Sequence, residues 1–349
     1  MATLPTKAGA VTLTDFAKSI DPNGSTATVI ELLNQSNEIL QDMTFIEGNL
    51  PTGHQSTIRT GLPTPTWRKL YQGVQPSKST RAQVVDTCGM LEARNEIDVK
   101  IANLNGNTAQ FRMSEAMSEI EGMNQALGET LIYGDTAVNP ERFTGLAARY
   151  NTKSASVPSS QNIVDAGGSG SDNTSMWLCV WGENTITGIY PKGSQAGLNH
   201  QDLGEIDAFD GNNNRYRAYA DLWKWDVGLA VRDWRYAVRI ANIDVSDLIA
   251  QTGTQAPTAS TALIKCMIQA MARIPMMGMG RPVFYANRTV KEYLSIAAMD
   301  KSNAALAVQP SINQFGTVAP GSVNNGTTTF LGIPVRTVDR ILSTEARVV

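Results

Sequence analysis

The stretch FRMSEAMSEIEGMNQALGETLIYGDTAVNPERFTGL, residues 111–146, decides the interpretation of this chain. Its apolar residues recur at spacings of three and four, which predicts one long amphipathic helix over residues 108–134. Glycine favours the position just after a last helical turn, so Gly134 is expected to end the helix. The predicted apolar stripe comprises Met113, Ala116, Met117, Ile120, Met123 or Asn124, Leu127 and Leu131.

Two glycines stand inside this predicted helix, at positions 122 and 128. A glycine in a helix interior costs roughly 1 kcal/mol relative to alanine. Gly122 and Gly128 therefore suggest that another surface packs close to the helix at these points.

Composition excludes several classes of protein. The 349 residues are 42% hydrophobic and 17% charged, with a net charge of −3, which describes a folded chain without the overall basic character of a nucleic-acid-binding protein. The N-terminal residues lack the basic-then-apolar order of a signal peptide, and no apolar run approaches the ~20 residues that span a bilayer. Three distant cysteines argue against a disulfide framework, so we expect a cytoplasmic protein without a membrane partner.

Residues 48–85 contain no aspartate or glutamate. Their flanks, about 54–60 and 80–87, alternate as strands do, which predicts an extended two-stranded loop with a polar, irregular tip. An isolated hairpin is marginal in water, so the loop is expected to lie on another surface, although a solvated basic loop is the alternative. Residues 15–47 carry six acidic residues and one lysine, which makes them a hypothetical partner in a neighbouring subunit. The cationic residues of the loop are Arg59, Arg68, Lys69, Lys78 and Arg81.

Other segments predict a mixed α and β chain. A helix is expected at about 27–43, where Thr28 and Glu31 have capping-box spacing. Strands are expected at 177–181 and 185–190, joined as a hairpin by Gly182-Glu183-Asn184. Residues 215–243 alternate as two or three antiparallel strands with one wet face would.

The last hundred residues predict a small α/β unit after a linker at 246–258. A helix over about 263–274 is followed by a strand at 282–285. Asn287 is expected to cap a second helix, Arg288 to Met299. A polar stretch, 309–326, leads to a bent terminal strand at 328–335.

No residues form a recognisable catalytic, cofactor-binding or metal-binding set, so none is predicted. The glycine-rich segment 166–172 lacks the Lys-Ser/Thr that ends a phosphate-binding loop. His54 and His200 are expected in solvated loops without ligand-spaced neighbours. A solvated acidic face is favoured over a metal site for the helix residues Glu115, Glu119 and Glu121.

Four features together resemble the major capsid proteins of tailed bacteriophages. The first is the helix that ends at Tyr133-Gly134-Asp135, followed by Asn139-Pro140, Phe143 and Gly145-Leu146. The second is Val283-Phe284-Tyr285-Ala286-Asn287-Arg288-Thr289 before a short helix, and the third is Phe330-Leu331-Gly332-Ile333-Pro334-Val335. The fourth is the acid-free loop at 48–85. The resemblance covers about residues 27–340 and rests on the order and spacing of these features.

The resemblance implies an α+β protein with the Johnson fold. Its parts would be an N-terminal arm with a short helix at 1–47, an extended β-hairpin loop at 48–88 and a peripheral domain at 89–250. The peripheral domain would hold long strands and the spine helix at 108–134. An α/β axial domain would follow at 251–340, with a C-terminal tail at 341–349.

The resemblance also implies a function. The chain would self-assemble in the bacterial host cytoplasm into pentamers and hexamers of an icosahedral virion capsid around double-stranded DNA, which it would contact weakly and without specificity. Only about 25 residues precede the first predicted helix, so a separate scaffolding protein is expected, together with a portal protein and a cement or decoration protein. The alternatives are an encapsulin-like nanocompartment shell, a phage tail or decoration protein, and a soluble enzyme. The expected intersubunit contact residues are Arg59, Arg68, Lys69, Lys78, Arg81, Gly122 and Gly128.

Overall fold

The computed structural model describes residues 11, 15, 35–104, 106, 108–249, 258–299, 306–309 and 327–349. The chain forms two compact units, each assembled from segments that are distant in sequence. Unit 1 comprises Met1–Ser36, Met90–Gly128 and Gln195–Asp226. Unit 2 comprises Asn37–Gly89, Glu129–Ser194 and Val227–Val349.

The α-helices with defined bounds include one long helix and several short ones. Single 3-10 turns lie at Pro158–Asn162, Trp234–Tyr236 and Met277–Met279. Within the described residues, no helix is long and apolar enough to cross a membrane. The α-helices are α1 Ile39–Asp42, α2 Val99–Ala102, α3 Thr108–Tyr133, α4 Leu146–Arg149, α5 Val245–Ile249, α6 Thr258–Arg273 and α7 Arg288–Met299.

The strands include three that are much longer than the average strand. β3 has 19 residues, β8 has 17 and β7 has 11. The strands are β1 Phe45–Glu47, β2 Gly53–Gly61, β3 Thr80–Asp98, β4 Ile163–Asp165, β5 Asn173–Trp181, β6 Ile186–Tyr190, β7 Asn199–Phe209, β8 Arg215–Val231, β9 Ala237–Asp244, β10 Arg281–Ala286, β11 Leu306–Gln309, β12 Thr327–Phe330 and β13 Ile333–Thr337.

Strand β5 is the centre of unit 2. Every residue of β5 is buried. It pairs antiparallel with β9 on one edge and with β10 on the other, and β10 continues in parallel to β13. An apolar strand covered on both faces and both edges needs little polar alternation, which is why Met176 to Trp181 is nearly continuously hydrophobic.

The predicted hairpin between 177–181 and 185–190 is wrong. β5 and β6 meet in parallel at Trp181 and Ile186. Because β9 and β10 occupy the two edges of β5, β6 pairs instead with β8 and with β1. The turn at Gly182 thus carries the chain to a different position in the sheet rather than folding it back on itself.

The C-terminal region contains one predicted helix cap and one predicted strand. Asn287 caps α7 as expected, because its Oδ1 accepts a hydrogen bond from the Val290 amide at 2.9 Å. The single bent strand at 328–335 is instead two strands, β12 and β13, paired antiparallel. Leu331 and Gly332 have φ values of 48° and 85°, the left-handed pair that closes a tight hairpin. The polar stretch 310–326 lies outside the described residues.

The predicted N-terminal helix at 27–43 is confirmed only over Ile39–Asp42 within residues 35–43, and residues 27–34 lie outside the described residues. Asn37 instead forms a β-bridge with Val338, and the Glu38 amide donates to the Thr337 carbonyl at 3.2 Å. Pairing with the end of β13 therefore replaces the helix immediately before Ile39.

Unit 1 is built on the β7–β8 hairpin. Its turn is closed by Asp210, whose Oδ1 accepts from the Asn212 and Asn214 amides. The strands predicted within 215–243 exist as β8 and β9, but they do not form one meander. β8 pairs with β7 and β6, whereas β9 pairs with β4 and β5.

Helix α3 has the predicted bounds, but its buried face differs from the predicted stripe. Met123, Leu127 and Leu131 are buried as expected, whereas Met113 and Met117 are 70% and 66% exposed. In unit 1 the Arg112 guanidinium contacts Asp221 at 2.9 Å and Asp202 at 2.8 Å on the β7–β8 hairpin. These ion pairs, with buried Phe111, set the rotation of the helix and leave the two methionines in solvent.

The end of α3 depends on two glycines in unit 2. The Gly145 amide donates to the Gly134 carbonyl at 2.8 Å. A Cβ on Gly134 would lie 2.3 Å from the Phe143 carbonyl oxygen, and one on Gly145 would lie 2.5 Å from the Thr130 oxygen. The Gly-Asp turn and the Gly-Leu pair seen in the sequence are therefore packed directly on each other.

The last residues of the chain are integral to unit 2. Glu345 forms a buried ion pair with Arg239 at 2.8 Å and accepts hydrogen bonds from Ser175 and Tyr133. Asn242 exchanges two hydrogen bonds with the Val348 backbone. The segment predicted as a tail thus contributes a charged side chain to the interior.

We predict that Glu345→Ala lowers the free energy of unfolding by about 3–5 kcal/mol, because it leaves the Arg239 guanidinium buried without its carboxylate. Urea unfolding of the unassembled chain measures this. Glu183→Ala, at an exposed turn residue, should change the midpoint little. Equal midpoints for the two variants would contradict the role assigned to the ion pair.

Candidate intersubunit surface

The extended loop predicted from the sequence is present as β2 and β3. The strands pair antiparallel from Gly53 with Thr87 to Gly61 with Thr80. β2 and the start of β3 correspond to the predicted flanks at 54–60 and 80–87, although β3 continues to Asp98. No helix or strand occurs in residues 62–79, which form the tip.

The five cationic residues of the loop lie along its length. All are exposed, and none forms an ion pair within the described residues. Arg59 and Arg81 face each other across the two strands. Like charges directly opposite are destabilising in an isolated ladder, so this pair is better suited to an acidic partner than to the loop alone. Arg68, Lys69 and Lys78 lie in the tip.

The tip is more apolar than the polar tip predicted from the sequence. Trp67 and Tyr71 are fully exposed, and Leu70 is 86% exposed. Leu62 and Val74 are exposed as well. The run Trp67-Arg68-Lys69-Leu70-Tyr71 carried this signal, but the surrounding prolines and polar residues obscured it. Exposed apolar side chains clustered in this way mark interaction surfaces.

The root of the loop is a buried polar cluster in unit 2. Arg149 donates to Asp86 at 2.8 Å, and Arg232 donates to His54 Nε2 at 3.0 Å. His54 and Asp86 are cross-strand partners on β2 and β3. Burial lowers the pKa of His54, Arg232 lowers it further, and Asp86 partly opposes them. His54 therefore lies in a strand as a hydrogen-bond acceptor, not in a solvated loop as predicted.

The lowered pKa of His54 predicts pH-dependent stability. The folded state resists protonating His54, so its contribution is present above the unfolded pKa of about 6.5 and is lost as pH falls below it. The free energy of unfolding of the unassembled chain should therefore decrease between pH 7 and pH 5. His54→Gln, which retains an acceptor for Arg232, should flatten this slope in chemical unfolding curves. An unaltered slope would contradict the assignment.

The two helix glycines differ in environment. Gly128 is buried, whereas Gly122 is exposed, and apart from its chain neighbours and the adjacent helix backbone no described atom lies within 4 Å of a Cβ placed on Gly122. A surface that packs on Gly122 would therefore have to come from outside the described part of the chain. Contact of either glycine with another subunit stays a prediction.

We expect Gly122→Ala to raise the free energy of unfolding of the unassembled chain by about 1 kcal/mol, because alanine is the better helix former and the site has room. Gly134→Ala is the matched control, since its Cβ would overlap backbone oxygens and should lower stability by about 1–3 kcal/mol. Denaturant midpoints measure both. A loss of stability in Gly122→Ala would mean that the site is occupied within one chain.

The remaining candidates from the sequence are His200 and the acidic residues of helix α3. His200 lies on β7, stacks on Trp223 and contacts Asp221 at 3.0 Å, so the predicted loop position is wrong. Burial raises the pKa of Glu115, and Asp15 and Glu119 raise it further. Among the described residues, no group of three acidic, histidine or cysteine side chains is arranged to hold a metal ion.

Comparison with known proteins gives one family and a set of related structures. The family described as major capsid protein GP7 matches residues 21–349. A chain from the structure of bacteriophage Epsilon15 is 35% identical, with a TM-score of 0.76, over 100% of this chain and 99% of that one. No curated protein matches.

More distant structures are also similar to this chain. The capsid of bacteriophage JBD30 is 12% identical, with a TM-score of 0.46, over 92% of this chain and 99% of that one. The SrpI encapsulin of Synechococcus elongatus is 12% identical, with a TM-score of 0.41, over 66% of this chain and 95% of that one.

The fold and these relations define the class as shell-building bacteriophage proteins with the α+β Johnson fold. The chain belongs to the family of major capsid protein GP7. It is a structural subunit that self-assembles into the icosahedral capsid of the virion. The encapsulin alternative is less well supported, because the phage structure is much more similar in sequence and covers the whole chain.

Proposed function

We propose that this chain forms pentamers and hexamers around double-stranded DNA, and that its extended loop fastens each subunit to a neighbour. The exposed tip of the loop carries this proposal. It combines fully exposed Trp67 and Tyr71 with the cations Arg68 and Lys69, and it contains no acidic residue. In a single chain, these apolar side chains of the tip remain exposed to water. Burying them against a second surface would lower the free energy.

The acidic arm is a weaker partner for this loop than the sequence suggested. Of its described acidic residues, Glu38 contacts Arg336 and Lys291, and Asp42 contacts Arg336 and Arg281. Glu47 accepts from the Gly193 amide. These carboxylates already have partners in their own chain, so they have less to gain from a neighbouring loop.

An acidic face of helix α3 is the better acceptor. Glu115, Glu119 and exposed Gly122 are spaced i, i+4 and i+7, which places them on one side of the helix. Burial is the main cause of the raised pKa of Glu115, and repulsion from the carboxylates of Asp15 and Glu119 raises it further. Cations from the loop of a neighbouring subunit would relieve this repulsion, and Gly122 would allow close approach.

We predict that Arg68→Glu with Lys69→Glu weakens shell assembly at low salt, and that the defect narrows as salt screens the charges. Light scattering and negative-stain images of assembly reactions measure the effect. Lys192→Glu with Arg215→Glu, which changes net charge equally at other exposed positions, is the control.

Gly122→Leu should likewise impair assembly without lowering the unfolding midpoint. Assembly that is unchanged in both loop and helix variants would contradict the proposed contact.

The wider organisation is part of the same proposal. The resemblance supports an arm at 1–47, the loop at 48–88, a peripheral domain at 89–250, an axial domain at 251–340 and a tail at 341–349, with axial contacts from about 260–335. Assembly would occur in the host cytoplasm with a separate scaffolding protein, a portal protein and a cement or decoration protein. DNA contact would be weak and non-specific, as the net charge of −3 suggests.

The role would be mechanical rather than catalytic, with stability supplied by many repeated interfaces. Negative-stain imaging of the purified protein tests this most directly. Icosahedral particles are expected, and their diameter and contents distinguish a DNA-containing head from an enzyme-containing compartment. Persistent monomers with enzymatic turnover would refute the proposal.

A further inference from the structure

Unit 2 contains a cleft of about 860 Å³ beside the root of the extended loop. One wall comprises Ile58 to Gly61 of β2, the adjoining residue Leu62, and Val84 of the paired strand β3. The second wall comprises Arg149, Tyr150, Pro158 and Ser159, and the third is Val231 to Arg235. The lining is therefore mostly apolar, with four arginines among its residues.

The charges of the cleft do not balance. Arg59, Arg149, Arg232 and Arg235 line it. Asp233 pairs with Arg235 at 2.7 Å. Asp86, which does not itself line the cleft, pairs with Arg149 at 2.8 Å. Four cations and two carboxylates leave two positive charges in excess, in a chain whose net charge is −3.

Two of these arginines also have buried nitrogen atoms without a hydrogen-bond partner. Arg149 Nε and Arg232 Nε are both enclosed and unpaired within the described residues. Their other contacts, to Asp86, Thr144, Leu229 and His54, use Nη2. Buried donors without acceptors are costly and rare in folded proteins. Since both atoms are enclosed, a group in the cleft would interact with these two arginines through their charge rather than through Nε.

The backbone of the cleft wall suggests the form of that group. β2 ends the order of paired strands, so one of its edges is unpaired within the described residues. An unpaired strand edge is a template for an added extended segment. Two excess charges and an apolar lining suit a peptide with about two carboxylates. They suit a DNA strand poorly, because it carries a negative charge on every phosphate.

We propose that this cleft binds an extended, carboxylate-bearing segment from a second copy of the chain. The inference rests on the proposed function, since a shell places every subunit beside others of its kind. The chain supplies exposed carboxylates outside its helices and strands, because Glu141 and Glu183 lie in turns and form no ion pair within the described residues. This contact is centred on strand β2 and the arginines of the cleft, whereas the proposed tip contact uses Trp67 to Tyr71.

Hydrogen exchange in assembled shells is the first test. Backbone amides from Ile58 to Leu62 should exchange at least tenfold more slowly in shells of this chain alone than in the unassembled chain. Arg59→Gln, at an exposed and unpaired position, should reverse much of the protection, whereas β5 amides should be protected in every sample. Unprotected Ile58–Leu62 amides in intact shells, or protection that requires added DNA, would overturn the proposal.

A second test does not need shells, so it separates this inference from the proposed function. The unassembled chain is titrated calorimetrically with the peptide acetyl-Thr-Asp-Val-Glu-Thr-amide and with acetyl-Thr-Asn-Val-Gln-Thr-amide. The acidic peptide should bind at least tenfold more tightly, and Arg59→Gln should remove that preference. Equal binding of the two peptides would refute carboxylate recognition, whatever the outcome of assembly.

Discussion

The buried Arg239–Glu345 ion pair is the interaction on which unit 2 depends. It joins strand β9 to the C-terminal segment, and Ser175 from β5 and Tyr133 from the end of α3 bond to the same carboxylate. The Arg239 guanidinium also lies 5.2 Å from the Trp177 ring centre and donates to the Tyr150 carbonyl. A buried ion pair is tolerated only when its remaining donors and acceptors are satisfied, so each of these segments is held in one register.

The extended loop projects from unit 2, and the described ion pair and arginine–histidine hydrogen bond that hold it lie at its root. Arg149 and Arg232 attach β2 and β3 through Asp86 and His54, whereas the cations of the tip form no ion pair within the described residues. If the loop contacts a neighbour as proposed, the root would set its direction and the exposed tip would form the contact.

Local patterns predicted much of this fold. The bounds of α3, the cap at Asn287 and the two strands of the loop follow from spacing, capping chemistry and alternation, which act over a few residues. The failures have long-range causes. β5 and β6 do not form a hairpin because β9 and β10 already occupy β5, and Met113 is exposed because Arg112 turns the helix towards Asp221. The basic residues of the candidate surface were visible in composition, whereas the cleft arises from three distant segments and has no local signature.

The tip of the loop also governs what happens before subunits meet. The exposed apolar side chains of Trp67, Leu70 and Tyr71 favour aggregation of free subunits. However, the tip also carries cationic residues and contains no acidic residue. Two tips therefore repel when they come within about 8 Å at physiological ionic strength. The charges act as gatekeepers against aggregation. Under the proposed loop contact, they would also favour docking of the tip on a surface of opposite charge.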